Sequence, residues 1–154
     1  MPYQTRGKEL GVSIETNKAL ARRWFEEVWN KRRESAIDEM FAADGLAYGL
    51  DPLELHPPPG PGPFKGFWQQ FCAAFPDLYI TVEDVIGEGD TTSIRISFRG
   101  THLGGNLGVP ATGRPISSTG MCFARWRDGQ IIEAWNEFDA LGLLKQIGLA
   151  RMNA

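Results

Sequence analysis

Between Leu78 and Phe138 the chain alternates apolar and polar residues and breaks the alternation with turns and one longer connection. A period of two sends successive side chains to opposite faces of a strand. In TSIRISFRGTH, Ile94, Ile96 and Phe98 share one face, and Arg95, Ser97 and Arg99 share the other. LYITVEDVIG sets Leu78, Ile80 and Val82 against Tyr79 and Thr81. The turns EGD (Glu88–Asp90) and RDGQ (Arg127–Gln130) are too short for a crossover helix, so the strands they join are expected to be antiparallel neighbours. LGGNLGVPATGRP leads into a further strand, ISSTGMCFARW, and IIEAWNEF is the last. A meander of this kind constrains the fold more than any other feature of the chain.

Helices are expected before and after it. Leu20, Ala21, Trp24, Phe25, Val28 and Trp29 recur at helical spacing within residues 17–32, with Thr16 as the expected N-cap. SAID (Ser35–Asp38) reads as the start of a short helix ending near Ala42, and GLAYGL as a short strand. Asp51–Pro63 is a loop, because its consecutive prolines exclude helix and central strand. Phe64–Phe75 then forms an apolar-faced helix that Pro76 stops, and a C-terminal helix runs from about Ala140 to Ile147, with Gly148 just past its end. The expected class is α+β: a curved antiparallel sheet with N-terminal helices on one face, enclosing a cone-shaped cavity.

A chain of 154 residues, 42% hydrophobic, suffices for one core. We expect a flexible tail over residues 1–14 and a single domain over 15–154. The net charge of −3 argues against a nucleic-acid partner, and KRRE (Lys31–Glu34) reads as a solvated helix end. Cys72 and Cys122 lie in different elements and read as free thiols. With no leader and no long apolar run, the expectation is a cytoplasmic protein with no membrane partner. Tyr79, Met121 and Phe123 fall among polar residues on the second sheet face, which suits a homodimer or higher oligomer.

The candidate chemistry gathers at the chain's end. Asp139, between the last strand and the last helix, suits an N-cap, whose helix would stabilise the anion. It also suits an acid/base carboxylate walled by Trp135, Phe138 and Leu143, and we expect it to point into the cavity near His102 and the Trp135 ring. His102 shares the parity of Ile94, Ile96 and Phe98, so it either faces the cavity or bonds to a loop carbonyl. His56 sits in the proline loop as a lid or surface residue. Asn136 and Arg125 are possible donors to a substrate carbonyl, and Trp24, Phe67, Trp68, Phe71 and Trp135 form the aromatic supply that a pocket or a core both want. Glu133 and Glu137 share a strand face with Trp135, and that face reads by default as exposed or as an interface. The two histidines lack metal-ligand spacing, so no metal is expected. Gly104, Gly105 and Gly108 precede a strand, where no helix N-terminus can hold a phosphate.

The segments FPDLYITVEDVIGEGD, RGTHLGGNLGVPATGRPI and DGQIIEAWNEFDALGLLKQIG resemble the SnoaL-like polyketide cyclases, or ester cyclases, of the nuclear transport factor 2-like (cystatin-like) superfamily. The resemblance spans roughly Asn17 to Gly148 and rests on Phe75-Pro76-Asp77, Gly100-Thr101-His102 and the Trp135, Asp139, Gly148 ending. It implies an α+β cone, a dimer or higher oligomer, and cofactor-free ring closure by intramolecular aldol chemistry. It further implies that Asp139 is the acid/base residue. Two features depart from the pattern: Ala134 stands where members often have histidine, and the proline loop around His56 is peculiar to this chain. The expected function is therefore a cofactor-independent cyclase or isomerase acting on a small hydrophobic carbonyl compound. The alternatives are a non-catalytic module binding a hydrophobic small molecule, or an epoxide hydrolase-like enzyme on the same fold.

Overall fold

The computed structural model describes residues 13–51 and 53–150. Of the tail expected over residues 1–14, all but Ser13 and Ile14 lies outside them. Helix α1 (Ile14–Trp24) runs directly into a π-helical turn (Phe25–Asn30), followed by α2 (Ser35–Met40), strand β1 (Phe41–Tyr48) and α3 (Gly62–Ala74). Strands β2 (Tyr79–Glu88), β3 (Thr91–Thr101), β4 (Pro115–Arg127) and β5 (Gln130–Phe138) come next, and α4 (Ala140–Gln146) is last.

The meander forms as its alternation requires. β2, β3, β4 and β5 pair antiparallel in chain order, and the sheet runs β1-β5-β4-β3-β2 without closing. The strand expected from GLAYGL is longer, and it pairs parallel to β5, so the first strand of the chain lies beside the last. Ile94, Ile96 and Phe98 are buried together as their spacing demands. A bulge between Val82 and Asp84 changes the phase of β2. Val85 therefore turns inward, where strict alternation would have buried Asp84.

The helices cover one face of this sheet. Ala21, Trp24, Phe25, Val28 and Trp29 pack with Phe64, Trp68 and Phe71 of α3 into one core. The cap of α1 is Ser13, whose Oγ accepts the Thr16 N–H at 3.2 Å, so Thr16 lies inside the helix it was expected to cap. Nothing in the spacing announces the π-turn, because the apolar stripe runs through it unbroken. The turn ends at Asn30, whose side chain accepts the Ile80 N–H and donates to the Ile80 carbonyl, both at 2.9 Å.

KRRE is more than a solvated helix end. Arg32 takes φ +57°, and its guanidinium donates to the carbonyls of Cys72, Phe75, Pro76 and Leu78 at 2.8–3.4 Å. It thereby satisfies carbonyls left open where α3 ends. Arg33 stays at the surface between Glu27 and Glu39.

The far face of the sheet carries Tyr79, Ile86, Met121 and Phe123 exposed. Across β3, β4 and β5 one row there reads Arg95, Met121, Glu137, and the next reads Ser93, Phe123, Trp135. Among the described residues no helix is long and apolar enough to cross a membrane.

Candidate functional site

The inner faces of β4 and β5 build the site in rungs. Gly120 stands opposite Phe138, Cys122 opposite Asn136, and Ala124 opposite Ala134. Gly120 has no side chain, which leaves the Phe138 ring its place: an added Cβ would crowd the Phe138 Cβ and the Glu137 carbonyl. The next rung offers a thiol and a carboxamide, and the alanine rung offers almost nothing, so space opens over it.

Helices roof this ladder with aromatic rings. The resulting cleft has an empty volume of ≈ 570 Å³ including its mouth, and it is narrow inside. Trp24, Phe25 and Trp29 come from α1 and the π-turn, Phe64, Phe67 and Phe71 from α3, and Ile96, Phe98 and Phe138 from the sheet. The rings interlock: Phe71 meets Phe98, Phe138 and Trp29 edge-on at 6.0–6.2 Å. Asn136 is the polar inward side chain here. Its Nδ2 donates to the Tyr48 carbonyl at 2.9 Å, which fixes the amide while using one of its two N–H groups. Burial pushes the Cys122 thiol up to about 12, so at neutral pH it is an uncharged, weakly polar surface. A second chamber opens behind this rung, floored by Ala124 and Ala134 and walled by Phe41, Trp126 and Ile131.

Of the residues singled out in the sequence, Trp24, Phe67, Phe71, Asn136 and Phe138 line the cleft. Trp68 is buried beside it as a strut, its Nε1 donating to the Val28 carbonyl at 3.0 Å. Trp135 and Arg125 lie on the opposite face of the sheet. Trp135 stacks on Tyr48 at 5.5 Å and meets Phe123 edge-on, while Arg125 pairs with Glu133 at 2.7 Å. The strand's period of two requires this, because Asn136 and Phe138 occupy the inward positions. His56 is exposed in the proline loop, its N–H donating to Glu54 Oε1.

Asp139 caps α4, its Oδ1 accepting the Gly142 N–H at 2.8 Å. Its carboxylate is exposed and does not line the cleft, contrary to the expectation that it points into the cavity. It follows directly on Phe138, which does line it. His102 is inward as its parity requires but fully buried beyond the cleft, against the Phe75 ring at 5.6 Å. The Thr112 N–H reaches His102 Nδ1 at 3.3 Å and the Thr112 hydroxyl lies 2.9 Å from the same atom, which ties the ring to the β3–β4 connection. The structure thus separates His102 and Trp135 from the cleft instead of gathering them around Asp139.

Sequence reasoning passed over Phe25, Trp29, Phe64 and Cys122 as site residues. Register opposite Asn136 was a usable signal for Cys122. Phe25, Trp29 and Phe64 carried no signal that distinguishes a pocket wall from an ordinary core.

A family model described as SnoaL-like polyketide cyclase matches residues 19–147. No curated protein matches the chain. Among solved structures, IdmH of Streptomyces antibioticus, proposed to be a polyketide cyclase, is 32% identical, with a TM-score of 0.71 over 84% of this chain and 96% of its own. AclR of Streptomyces galilaeus, proposed to be a hydroxylase, is 26% identical, with a TM-score of 0.78 over 92% of this chain and 91% of its own. TsrD of Streptomyces laurentii shares the fold at 24% identity, with a TM-score of 0.77 over 90% of this chain and 99% of its own.

Proposed function

Because the chain belongs to the SnoaL-like polyketide cyclase family, we propose that it is a cyclase-type enzyme acting on a small hydrophobic carbonyl compound held in the aromatic cleft. The observation that carries this reading is Asn136, an immobilised amide with an N–H to spare, set among apolar walls. An amide so placed can donate to a carbonyl oxygen and to the alkoxide that replaces it, where low polarity strengthens the bond.

The chemistry that fits is an intramolecular aldol closure without a cofactor. A carboxylate removes a proton from a carbon between two carbonyls, a step that needs only a modest base. The resulting enolate carbon bonds to the carbon of a third carbonyl in the same molecule, that C=O π bond breaks, and the alkoxide takes a proton back. Nothing is oxidised or reduced. In this proposal Asn136 holds the accepting carbonyl and Asp139, just beyond Phe138, serves as the carboxylate at the rim. Oδ1 is committed to the helix, and no protein hydrogen bond among the described residues occupies Oδ2. His102 has no part in it.

The test is a turnover assay on small aryl tricarbonyl compounds, in which a carbon between two carbonyls can reach a third, with Asp139→Asn and Asn136→Leu. A loss of roughly 10²–10⁴-fold in kcat for Asp139→Asn, with binding kept, is the expected result. Unchanged turnover would remove Asp139 from the mechanism. The exposed, capping position of Asp139 favours a second reading, a binding module that uses the same cleft without catalysis. Tight ligand binding with no turnover in the wild type would select it.

A homodimer completes the proposal. The outer row places Arg95 at one end, Met121 in the middle and Glu137 at the other, so a twofold copy laid face to face brings opposite charges together around an apolar centre. Light scattering at micromolar concentration should give twice the chain mass, and a monomer would refute the dimer.

A further inference from the structure

The chamber behind Asn136 is a compartment distinct from the aromatic cleft. The two share Trp24, Phe25, Phe64, Cys122 and Asn136, so the Cys122–Asn136 rung is the waist between them. Outside the waist the walls are mostly aromatic rings. Inside it they are chiefly aliphatic or small, and the chamber is the lesser of the two, ≈ 390 Å³ counted to its opening. Of the two indoles in its walls, Trp24 belongs to the waist, and Trp126 beyond it turns its N–H away, Nε1 donating to Thr92 Oγ1 at 2.9 Å. A group entering this chamber would meet no polar side chain beyond the waist.

The chamber exists because two alanines face each other. Ala124 and Ala134 are register partners, both are buried, and any larger pair would fill the space between them. Phe41 and Ile131 close it from the β1 side.

The geometry points to an alkyl ketone as the substrate class: a molecule whose accepting carbonyl sits at the Asn136–Cys122 waist, with a short unbranched alkyl group running into the inner chamber. Ala124 and Ala134 then set the length of alkyl group accepted, while the aromatic cleft holds the rest of the molecule. This inference rests on the aromatic cleft being the binding site, as proposed above. It adds that the substrate ends beyond its carbonyl in saturated carbon, not in a charged group. A charge would lie unpaired in an apolar chamber.

Calorimetric titration with acetophenone, butyrophenone and hexanophenone tests it, since the phenyl ring occupies the outer cleft and only the alkyl chain varies. Each buried methylene should improve affinity by about fourfold, so butyrophenone should bind at least about tenfold more tightly than acetophenone. Ala134→Val should abolish that gain, so that the variant binds butyrophenone no more tightly than acetophenone. Ile131→Val, which enlarges the chamber, should move the preference toward hexanophenone. The two substitutions act in opposite directions, so the outcome does not rest on either variant alone, and circular dichroism confirms that each is folded. If no ketone binds the wild type, the cleft is not the site, and this inference falls with the proposal above. If the ketones bind but the alkyl-length preference is the same in wild type and both variants, only the inner-chamber assignment is overturned.

Discussion

Asn30 holds both backbone polar groups of Ile80, accepting the N–H and donating to the carbonyl at 2.9 Å each. One side chain thus fastens the end of the π-turn to β2. Trp29, immediately before it, and Ile80 itself both line the cleft, so this contact sets the distance between two of its walls.

Asn30→Ala should therefore cost stability and loosen the cleft together. It leaves a partly buried N–H and carbonyl without partners, which costs about 1–3 kcal/mol. Urea unfolding should show the lower midpoint, and any cleft ligand should bind the variant more weakly.

Arg32 allows its two roles to be separated. Arg32→Ala loses the guanidinium that serves four carbonyls and keeps a side chain at φ +57°. Arg32→Gly loses the same bonds but relieves the backbone, so it should be the more stable of the two variants by about 1 kcal/mol. Both should melt below the wild type. Equal melting temperatures for the two variants would show that the backbone at this position carries no strain.

Asp77 supplies a pH-dependent term. It accepts the Thr101 hydroxyl at 2.8 Å and the Thr101 N–H at 2.7 Å, and the hydroxyl above all holds its carboxyl below the ordinary 3.8. A folded-state value below the unfolded one stabilises the protein above the unfolded value, and the benefit fades as pH falls through the folded value. The stability gap between wild type and Asp77→Asn should accordingly be constant from pH 7 to 5 and shrink below pH 3.8. A gap that stays flat down to pH 2 would exclude Asp77 as its source.

Cys122 should resist alkylation. Only the thiolate reacts, and with the thiol pushed up to about 12 about one molecule in ten thousand is ionised at pH 8. Mass spectrometry after brief iodoacetamide treatment at pH 8 should find Cys122 unmodified in the native protein and modified after denaturation. Rapid labelling of the native thiol would contradict its burial.

The legible parts of this fold were those governed by strand periodicity. Ile94, Ile96, Phe98 and His102 face inward as their spacing requires. The helix around Phe67 and Phe71, and the Asp139 cap, also stand where the residues placed them. Three features left no local trace. The bulge that turns Val85 inward inserts a residue without altering composition. The π-turn keeps an ordinary helical stripe. The parallel seating of β1 depends on β5, far along the chain. Trp135 shows why the site was harder to read than the fold. Its parity set it with Glu133 and Glu137, but its aromatic character suggested a pocket, and Tyr48 and Phe123 supply the apolar company on the outer face. The aromatic walls were unreadable for the opposite reason, because a cleft lined with rings and a solid core have the same sequence.

The seating of β1 beside β5 also bears on how the molecule is made. β2, β3, β4 and β5 are sequential neighbours and need only short loop closures, whereas the Asn136–Tyr48 bond joins residues 88 positions apart. Closing the longer loop costs more chain entropy, so the meander should be protected first and β1 later. Pulse-labelled hydrogen exchange should show β3 and β4 amides guarded before those of β1. The amide at the waist of the cleft is immobilised only by that late pairing, so a refolding chain has walls before it has a binding site. Ligand binding by this protein would then report the completion of folding.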